Sequence, residues 1–226
     1  MKNIETITAG NIQQLDDIMP LLAESYIDDF ARSPWNEVSA CPRCGTLSAL
    51  SAGTLCATCA VVQVPAYTPE GLYATWTGLL SEGALIEVLS ERDIPLRTTI
   101  AGPLTTAELY SRKYADVPQM EEWLDSNVPA RVVYIYDTFA NLKVRPSGNL
   151  NDRGQTLGRL STAFAGLPIL TRTLQPAIVR ATVRDAGERT AVYLGEAKAG
   201  VIEALGAKSV SAVPDRRTLL SVEPEL

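Results

Sequence analysis

Residues 131–145 read Arg131-Val-Val-Tyr-Ile-Tyr-Asp-Thr-Phe-Ala-Asn-Leu-Lys-Val-Arg145, a run dominated by β-branched and aromatic residues. Such residues favour the pleated surface of a sheet. The run is too apolar and too long for a surface edge, so it predicts a central strand with a bend or bulge. A loop is predicted at Pro146–Asn149 and a helix from about Asp152 to Ala165.

The elements on either side of this run alternate between strand and helix. The hydrophobic spacing predicts an N-terminal strand, a helix that ends near Ala31, and a second helix from Glu70 to Leu80. Pro20 predicts a break in the first helix near Met19. Further strands are predicted at 85–90, 96–101, 177–184, 209–213 and 218–222, with a hairpin loop at 91–95 and a helix at about 190–205. This order indicates a mixed α/β or α+β sheet.

The chain has four cysteines, which form two CxxC pairs separated by eleven residues. Four thiolates in this arrangement match the tetrahedral coordination of a structural zinc ion, and the glycines between the pairs suit the tight turns of a zinc ribbon. A redox dithiol and a pair of disulfides are the alternatives. We predict a zinc ribbon at about 38–66, with four ligands: Cys41, Cys44, Cys56 and Cys59.

Composition excludes several classes of function. The chain has 226 residues and a net charge of −6, which disfavours a phosphate-driven grip on nucleic acid. The N-terminus lacks the apolar run of a signal peptide, and no segment is long enough to span a bilayer, so we predict a cytoplasmic protein that does not associate with membranes. With no histidine, Ser-His-Asp and Cys-His arrangements are impossible.

A second informative stretch is Asp152-Arg-Gly-Gln-Thr-Leu-Gly-Arg-Leu160, at the predicted junction of loop and helix. The first N–H groups of a helix have no helical acceptor and the helix dipole favours an anion, so a glycine-containing first turn can hold a pyrophosphate. Asp152 and Gln155 have the spacing of an N-cap and its partner. The alternative is that this segment only opens an amphipathic helix, whose glycines pack against the sheet.

Three segments carry a resemblance to a known family. Leu142-Lys-Val-Arg-Pro146 ends the predicted strand, Arg153-Gly-Gln-Thr-Leu-Gly158 forms the loop, and Ala199 to Lys208 lies in a late helix. In these segments the chain resembles the GNAT family of N-acetyltransferases, whose acetyl-CoA site has Arg/Gln-x-x-Gly-x-Gly/Ala after the fourth strand. Thr156 stands in place of the usual first glycine, and Ile202 stands where the family's general-acid tyrosine is usual.

The resemblance implies a single GNAT-like domain over residues 1–226, with a mixed, mostly antiparallel central sheet flanked by helices and the zinc ribbon inserted at 38–66. It implies acetyl-CoA or another acyl-CoA as co-substrate. Backbone groups of Leu142 and Val144 would pair with the pantetheine arm. The pyrophosphate would be held by loop amides and flanking charges, from Arg153, Gly154, Gln155, Thr156, Leu157, Gly158 and Arg159.

By the same resemblance an amine attacks the thioester directly, which needs no enzyme nucleophile. Asp137 is the predicted base, and Glu87 is a second option. We therefore predict an N-acyltransferase, in the first instance an N-acetyltransferase, whose acceptor is a small-molecule or protein amine. The alternative is a catalytically inactive GNAT-fold adaptor that uses the zinc ribbon to hold a partner, which Thr156 and Ile202 favour. Nucleic-acid binding is a third hypothesis, disfavoured by charge, and a homodimer is left open.

Overall fold

The computed structural model describes residues 2–32, 35–113, 115, 121–122, 124–125, 130–144, 155–156, 159–160, 162–164, 167, 169–174, 208–213 and 217–222. The strands and helices with continuous bounds are β1 (Lys2–Ile7), α1 (Gln13–Phe30), β2 (Ser39–Ala40), β3 (Leu47–Ser48), β4 (Val64–Pro65), α2 (Pro69–Ser81), β5 (Leu85–Glu91), β6 (Ile94–Thr105), α3 (Thr106–Lys113), β7 (Arg131–Ala140), β8 (Ile169–Leu174), β9 (Lys208–Val213) and β10 (Arg217–Val222). The strand predicted at 177–184 and the helix predicted at 190–205 lie outside the described residues.

The main sheet has the strand order β1-β5-β6-β7-β8-β10-β9. Its neighbouring strands are antiparallel, except that β7 and β8 run parallel. The hairpin between β5 and β6 turns on Arg92 and Asp93, both with positive φ, so its loop is shorter than predicted. A second sheet, β3-β2-β4, occupies the chain between α1 and α2. We call residues 38–66 the cysteine module.

The prediction of a break near Met19 is wrong, because α1 is one continuous helix with Pro20 inside it. A proline removes one helical hydrogen bond. Residues on both sides of Pro20 are buried against the domain, including Leu15, Leu22 and Tyr26. This packing outweighs the lost bond and keeps the helix continuous.

The predicted bulge in the central strand is confirmed. Across β6 and β7, Ile100 lies opposite Asp137 and Ala101 lies opposite Ile135, so Tyr136 is the extra residue. The prediction that the strand continues to Arg145 is wrong, because β7 ends at Ala140 and residues 142–144 form a turn.

The Asn141 side chain explains this early end. Its Oδ1 accepts a hydrogen bond of 3.2 Å from the Lys143 N–H, which is an Asx-type turn. The turn diverts the chain from the sheet one residue after Ala140.

Both long helices cover one face of the main sheet. α1 and α2 bury apolar side chains, among them Leu22 and Trp76, against sheet residues such as Ile86, Ile100 and Phe139. Each fully buried aliphatic side chain contributes roughly 1.5–3 kcal/mol, so this layer is the main apolar core. None of the described helices combines the length and the apolar character needed to cross a bilayer.

Candidate active site and metal site

The candidate active site begins where β7 and β8 separate. The two strands are in register at Val133–Ile169 and Tyr134–Leu170. Both continue further, β7 to Ala140 and β8 to Leu174, so they diverge beyond the last registered pair. Within the described part of the chain, the backbone of 135–140 therefore has its registered partner in β6 alone. Such a strand edge can pair with an extended ligand.

The bulge and Asp137 lie on this diverging half of β7. Residues directly opposite each other on neighbouring strands point to the same face of a sheet. Asp137 lies opposite Ile100, a core residue beneath α1 and α2, so its side chain is on the helix-covered face. The carboxylate is half-buried. Bulges often re-aim side chains beside active sites, and here the bulge fixes which face Asp137 occupies.

The C-terminal turn of α1 is fastened to the same end of β7. The Ala140 N–H donates a hydrogen bond of 2.8 Å to Asp29 Oδ2. The ring of Tyr26 meets the ring of Phe139 edge-on, with centroids 5.1 Å apart. Asp137 is two residues before Phe139 on the same face, so Tyr26 and Asp137 share one region of the molecule.

Three residues at the base of the cysteine module complete this region. We call Trp35, Glu37 and Tyr67 the module base. Trp35 stacks on Phe30 with centroids 5.3 Å apart, and Tyr67 meets Tyr26 edge-on at 4.9 Å. The Tyr67 hydroxyl donates to Glu37 Oε2.

The predicted site residues did not include Glu37 and Tyr67. Their place in the sequence could have indicated them, because an acidic residue and aromatic residues lie directly outside the two ends of the module.

The acidic side chains here keep the tyrosines neutral. Burial, then the charge of Asp137 and a hydrogen bond to Tyr67, raise the pKa of Tyr26 well above its usual range. Burial, the hydrogen bond to Glu37 and the charges of Glu37 and Asp137 also raise the pKa of Tyr67. Both phenols therefore act as hydrogen-bond donors, and both respond to the charge on Asp137.

Glu87, the second predicted base, lies on the opposite face of the sheet. It is opposite Thr6 on β1 and Thr99 on β6, and it is 1% exposed. Thr6 Oγ1 donates to Glu87 Oε1 at 2.9 Å, while Oε2 has no hydrogen-bond partner within the described residues. Burial raises the pKa of this carboxyl, and the hydrogen bond from Thr6 and the charge of Arg159 only partly offset the effect. Asp137 and Glu87 are therefore not parts of one site.

The residues of the predicted phosphate cradle are described in part. Gln155 and Arg159 are exposed and belong to a helical segment. Thr156 is fully buried, and its hydroxyl lies 3.1 Å from Thr99 Oγ1, so its side chain points to the sheet. Leu142 and Val144 lie in the turn after β7. The remaining predicted members lie outside the described residues: Arg153, Gly154, Leu157 and Gly158.

The cysteine module brings its four cysteines together in two matching turns. In the first turn, the Gly45 N–H donates to the Cys41 carbonyl at 2.9 Å, and in the second the Ala60 N–H donates to the Cys56 carbonyl at 2.9 Å. The residue after each pair has positive φ, 71° at Gly45 and 52° at Ala60. None of the four cysteines forms a disulfide. The two pairs thus have the same local backbone.

The sulfur positions fit a tetrahedral metal ion. All four Sγ atoms lie within 4.8 Å of one another, with separations of 3.7 Å for Cys44–Cys56, 3.8 Å for Cys44–Cys59 and a shorter 3.1 Å for Cys41–Cys59. A Zn–S length of 2.3 Å in a regular tetrahedron gives sulfur separations of about 3.8 Å. Backbone N–H groups of Cys59 and Thr58 lower the pKa of the Cys56 thiol to about 6, whereas the hydrogen bond to Cys41 and burial raise the pKa of the Cys59 thiol to about 12. The donor set suits zinc.

A separate cavity of about 700 Å³ lies between α1 and α2. Its apolar part comes from Met19, Pro20, Ile27, Pro69 and Tyr73. Its charged lining residues are all acidic: Asp16, Glu24, Asp28 and Glu70. At its edge Lys143 forms an ion pair with Glu24. The field of such a cavity favours a cation over an anion.

Comparisons with known proteins find similarity at the level of structure. No protein-family model matches the sequence, and no curated protein matches it. The chain is similar to the Drosophila melanogaster polyamine N-acetyltransferase that forms N-acetylagmatine, with 11% identity and a TM-score of 0.50 over 100% of both chains. It is also similar to a putative arylalkylamine N-acetyltransferase 7 of the yellow fever mosquito, with 10% identity and a TM-score of 0.53 over 98% of this chain and 87% of that one.

A mosquito arylalkylamine N-acetyltransferase-like protein gives 10% identity and a TM-score of 0.51 over 99% of each chain. At these identities the similarity shows the fold alone. The chain has the GNAT fold, and the predicted fold class is confirmed: a mixed, mostly antiparallel central sheet with flanking helices.

Proposed function

We propose that the chain is an acyl-CoA-dependent N-acyltransferase that transfers an acyl group, in the first instance acetyl, directly to an amine. The observation that carries the proposal is the divergence of β7 and β8 at the bulge that holds Asp137, in a sheet with the GNAT fold. A strand that has diverged from its neighbour suits the amide groups of a pantetheine arm, because they can form hydrogen bonds like those of an added strand. The part of β7 beyond Tyr134 has diverged from β8 in this way.

The amine would react from the helix-covered side of this edge. The Asp137 carboxylate would accept a proton from the acceptor ammonium, and the neutral amine would attack the thioester carbonyl. The new C–N bond forms as the C–S bond breaks, and the second amine proton ends on the departing thiolate. Tyr26 and Tyr67 stay protonated and neutral, so they do not compete with Asp137 as bases.

The predicted cradle fits the same proposal. The amides of Gly154, Gln155, Thr156, Leu157 and Gly158, with Arg153 and Arg159, would hold the pyrophosphate at the start of the helix that follows. Thr156 contributes its backbone there, since its hydroxyl is bonded to Thr99. Leu142 and Val144 follow the end of β7, and their contact with the co-substrate remains a prediction.

The acidic cavity between α1 and α2 supports an amine acceptor. Amines are cationic near neutral pH, and the cavity's charged lining residues are carboxylates. Its residues Ile27 and Asp28 lie in the same helical turn as Tyr26. A small molecule and the amino group of a protein both meet this requirement.

Zinc has a structural part in this proposal. Cys41, Cys44, Cys56 and Cys59 would fill the four positions of a tetrahedral ion and leave none for a reacting group. The chemistry would then belong to Asp137 and the part of β7 that diverges from β8. The predicted cytoplasmic location and the homodimer remain untested predictions.

Titration calorimetry with acetyl-CoA is the first test, followed by release of free thiol with agmatine, spermidine and 2-phenylethylamine as acceptors. We expect binding, thiol release with at least one amine, and a fall in kcat of about 100-fold or more in Asp137→Asn. Asp17→Asn removes an exposed carboxylate of α1 and serves as the control, with unchanged kcat. No binding at millimolar acetyl-CoA would refute the proposal.

An adaptor function is the second candidate, and one observation favours it. Five apolar side chains of the module are exposed by 44% to 61%: Leu47, Leu50, Leu55, Val62 and Val64. Exposed apolar side chains that cluster often mark a protein interface. Thiol release that depends on both amine and enzyme would count against an inactive adaptor.

A further inference from the structure

The link between the cysteine module and the domain is short, and its described residues contact α1. The chain enters the module through Trp35 and Glu37 and leaves it through Tyr67. All three rest on the last turn of α1: Trp35 stacks on Phe30, the Glu37 N–H donates to the Phe30 carbonyl at 2.9 Å, and Tyr67 packs on Tyr26. The module base is thus part of the aromatic layer beside Asp137.

Hydrogen bonds continue from the module base to the cysteines. The Ala66 N–H donates to the Val38 carbonyl at 3.2 Å, and β2 and β4 pair through Ser39–Pro65 and Ala40–Val64. Cys41 directly follows Ala40. The buried Ser39 hydroxyl lies 2.5 Å from Gln63 Oε1 and joins the two strands from inside. The metal ligands and the module base therefore stand at two ends of one paired ladder.

Aromatic contacts complete the path to Asp137. Tyr67 meets Tyr26 at 4.9 Å, and Tyr26 meets Phe139 at 5.1 Å. Phe139 is the next residue after Asp137 on the same face of β7. The charge of Asp137 also acts on both tyrosines. A change in the position of Tyr67 would therefore alter the surroundings of the Asp137 carboxylate.

We propose that Tyr67 is a positioning residue, held by Glu37 at the base of the cysteine module, through which the metal site sets the surroundings of Asp137. The inference rests on the proposed function only in giving Asp137 the role of proton acceptor. A metal-loaded module keeps the ladder and the Tyr67–Glu37 hydrogen bond in place. Without the metal, Cys41 and Cys56 are no longer held in fixed positions. They are the only buried side chains of the module that are not polar, so the strand ladder then loses the support at its outer end.

The first test uses NMR spectra of the intact protein with ¹³C at the tyrosine ring carbon that bears the hydroxyl, because this carbon reports hydrogen bonding and ionisation. The Tyr67 signal is assigned by its loss in Tyr67→Phe. We expect it to move when zinc is chelated, to return on reloading, and to move in Asp137→Asn. Tyr110 on α3 lies outside the module base, and its signal serves as the control.

Two variants at one position keep the test independent of chelation. Glu37→Gln retains an acceptor for the Tyr67 hydroxyl, whereas Glu37→Ala removes it. With zinc still bound, Glu37→Ala should move the Tyr67 and Tyr26 signals, and Glu37→Gln should restore most of the wild-type position. A Tyr67 signal that is unmoved by Glu37→Ala, or by both chelation and Asp137→Asn, would overturn the inference.

The kinetic test separates acceptor from co-substrate. With an amine found by thiol release, Tyr67→Phe and Glu37→Ala should lower kcat/KM for the amine about tenfold and leave the KM for acetyl-CoA unchanged. Equal losses for both substrates would contradict a positioning role beside Asp137. If no amine is acylated, the proposed function fails, while the NMR test still decides whether the metal site and Asp137 are coupled through Tyr67.

Discussion

The cysteine module and the main sheet are held together by different forces. In the module, the buried residues are Ser39, Cys41, Cys56 and Gln63, two polar side chains and two thiols, while its leucines are exposed. In the main sheet, Ile86, Ile100 and many neighbours are fully buried under α1 and α2. The sheet is therefore stabilised by apolar burial, whereas the module has only hydrogen bonds and, under the proposed zinc site, the metal to hold it together.

Removal of the metal should produce the largest difference in amide protection between the module and the main sheet. Because structural zinc contributes apparent binding energies of about 10 kcal/mol in small modules, chelation should remove amide protection from 38–66 and leave the sheet protected. Hydrogen exchange measured by mass spectrometry checks this, and metal analysis should give one zinc per chain. Cys41→Ser should reproduce the effect without a chelator. Equal loss of protection in both regions would show that the module and the main sheet unfold together.

Truncation of a side chain in the core of the main sheet should destabilise the sheet and leave the metal site unchanged. Ile100→Ala removes a fully buried side chain of β6, so we expect the free energy of unfolding to fall by about 3 kcal/mol with zinc content unchanged. Leu50→Ala is the matched change in the module, where the side chain is 57% exposed, and it should alter stability by less than about 0.5 kcal/mol. Denaturant unfolding of the zinc-loaded protein measures both. A larger loss in Leu50→Ala would show that the module has an apolar core after all.

The two cysteine turns allow an exchange of residues at matched positions. Gly45 and Ala60 both have positive φ, and a Cβ added at Gly45 meets no atom within 4 Å, so backbone strain alone decides the outcome. Gly45→Ala should weaken zinc binding by about 1 kcal/mol, or fivefold, and Ala60→Gly should strengthen it by a similar amount. Competition with a chromogenic chelator measures the affinity. Changes of the same sign would mean that the two turns are not equivalent.

An effect of similar size concerns Glu87 Oε2, a buried carboxylate oxygen of the sheet that lacks a hydrogen-bond partner among the described residues. Burial raises the pKa of Glu87, so above its ordinary value of about 4.5 the folded chain holds a proton that the unfolded chain has lost. Stability from this group is therefore full below that value and declines as the pH rises through the raised pKa. Glu87→Gln should remove the decline and add about 1 kcal/mol at pH 7.

Thermal unfolding between pH 4 and pH 8 checks this prediction. Glu5→Gln, an exposed change on the neighbouring strand β1, is the control and should keep the wild-type pH dependence. If Glu87→Gln lowers stability at pH 7, the charged form of Glu87 has a stabilising partner.

Several features could be predicted from the sequence because their causes are local. The spacing of the cysteines predicted their cluster, and the β-branched run predicted β7 with its bulge. The continuous α1 could not be predicted, because packing on both sides of Pro20 comes from distant parts of the chain. The end of β7 at Ala140 depends on one side-chain hydrogen bond of Asn141.

The candidate site was predictable only in its parts. Asp137 and Glu87 both lie on apolar strands, and only the register of the sheet shows that they face opposite sides. Glu37 and Tyr67 are thirty residues apart, and the return of the chain through β4 brings them into contact. Contacts of this kind depend on tertiary pairing rather than on the residues nearby in the sequence.

The pairing of Val38 with Ala66 also makes the module exchangeable. Val38 and Ala66, the two ends of the cysteine module, are joined by one hydrogen bond, so the chain enters and leaves the module at adjacent positions. The entropic cost of closing a loop grows only slowly with the length of chain between its ends. We therefore expect the position between Glu37 and Tyr67 to accept a graft: a two-residue hairpin or a different metal-binding module in place of residues 38–66 should leave the strand order of the main sheet unchanged.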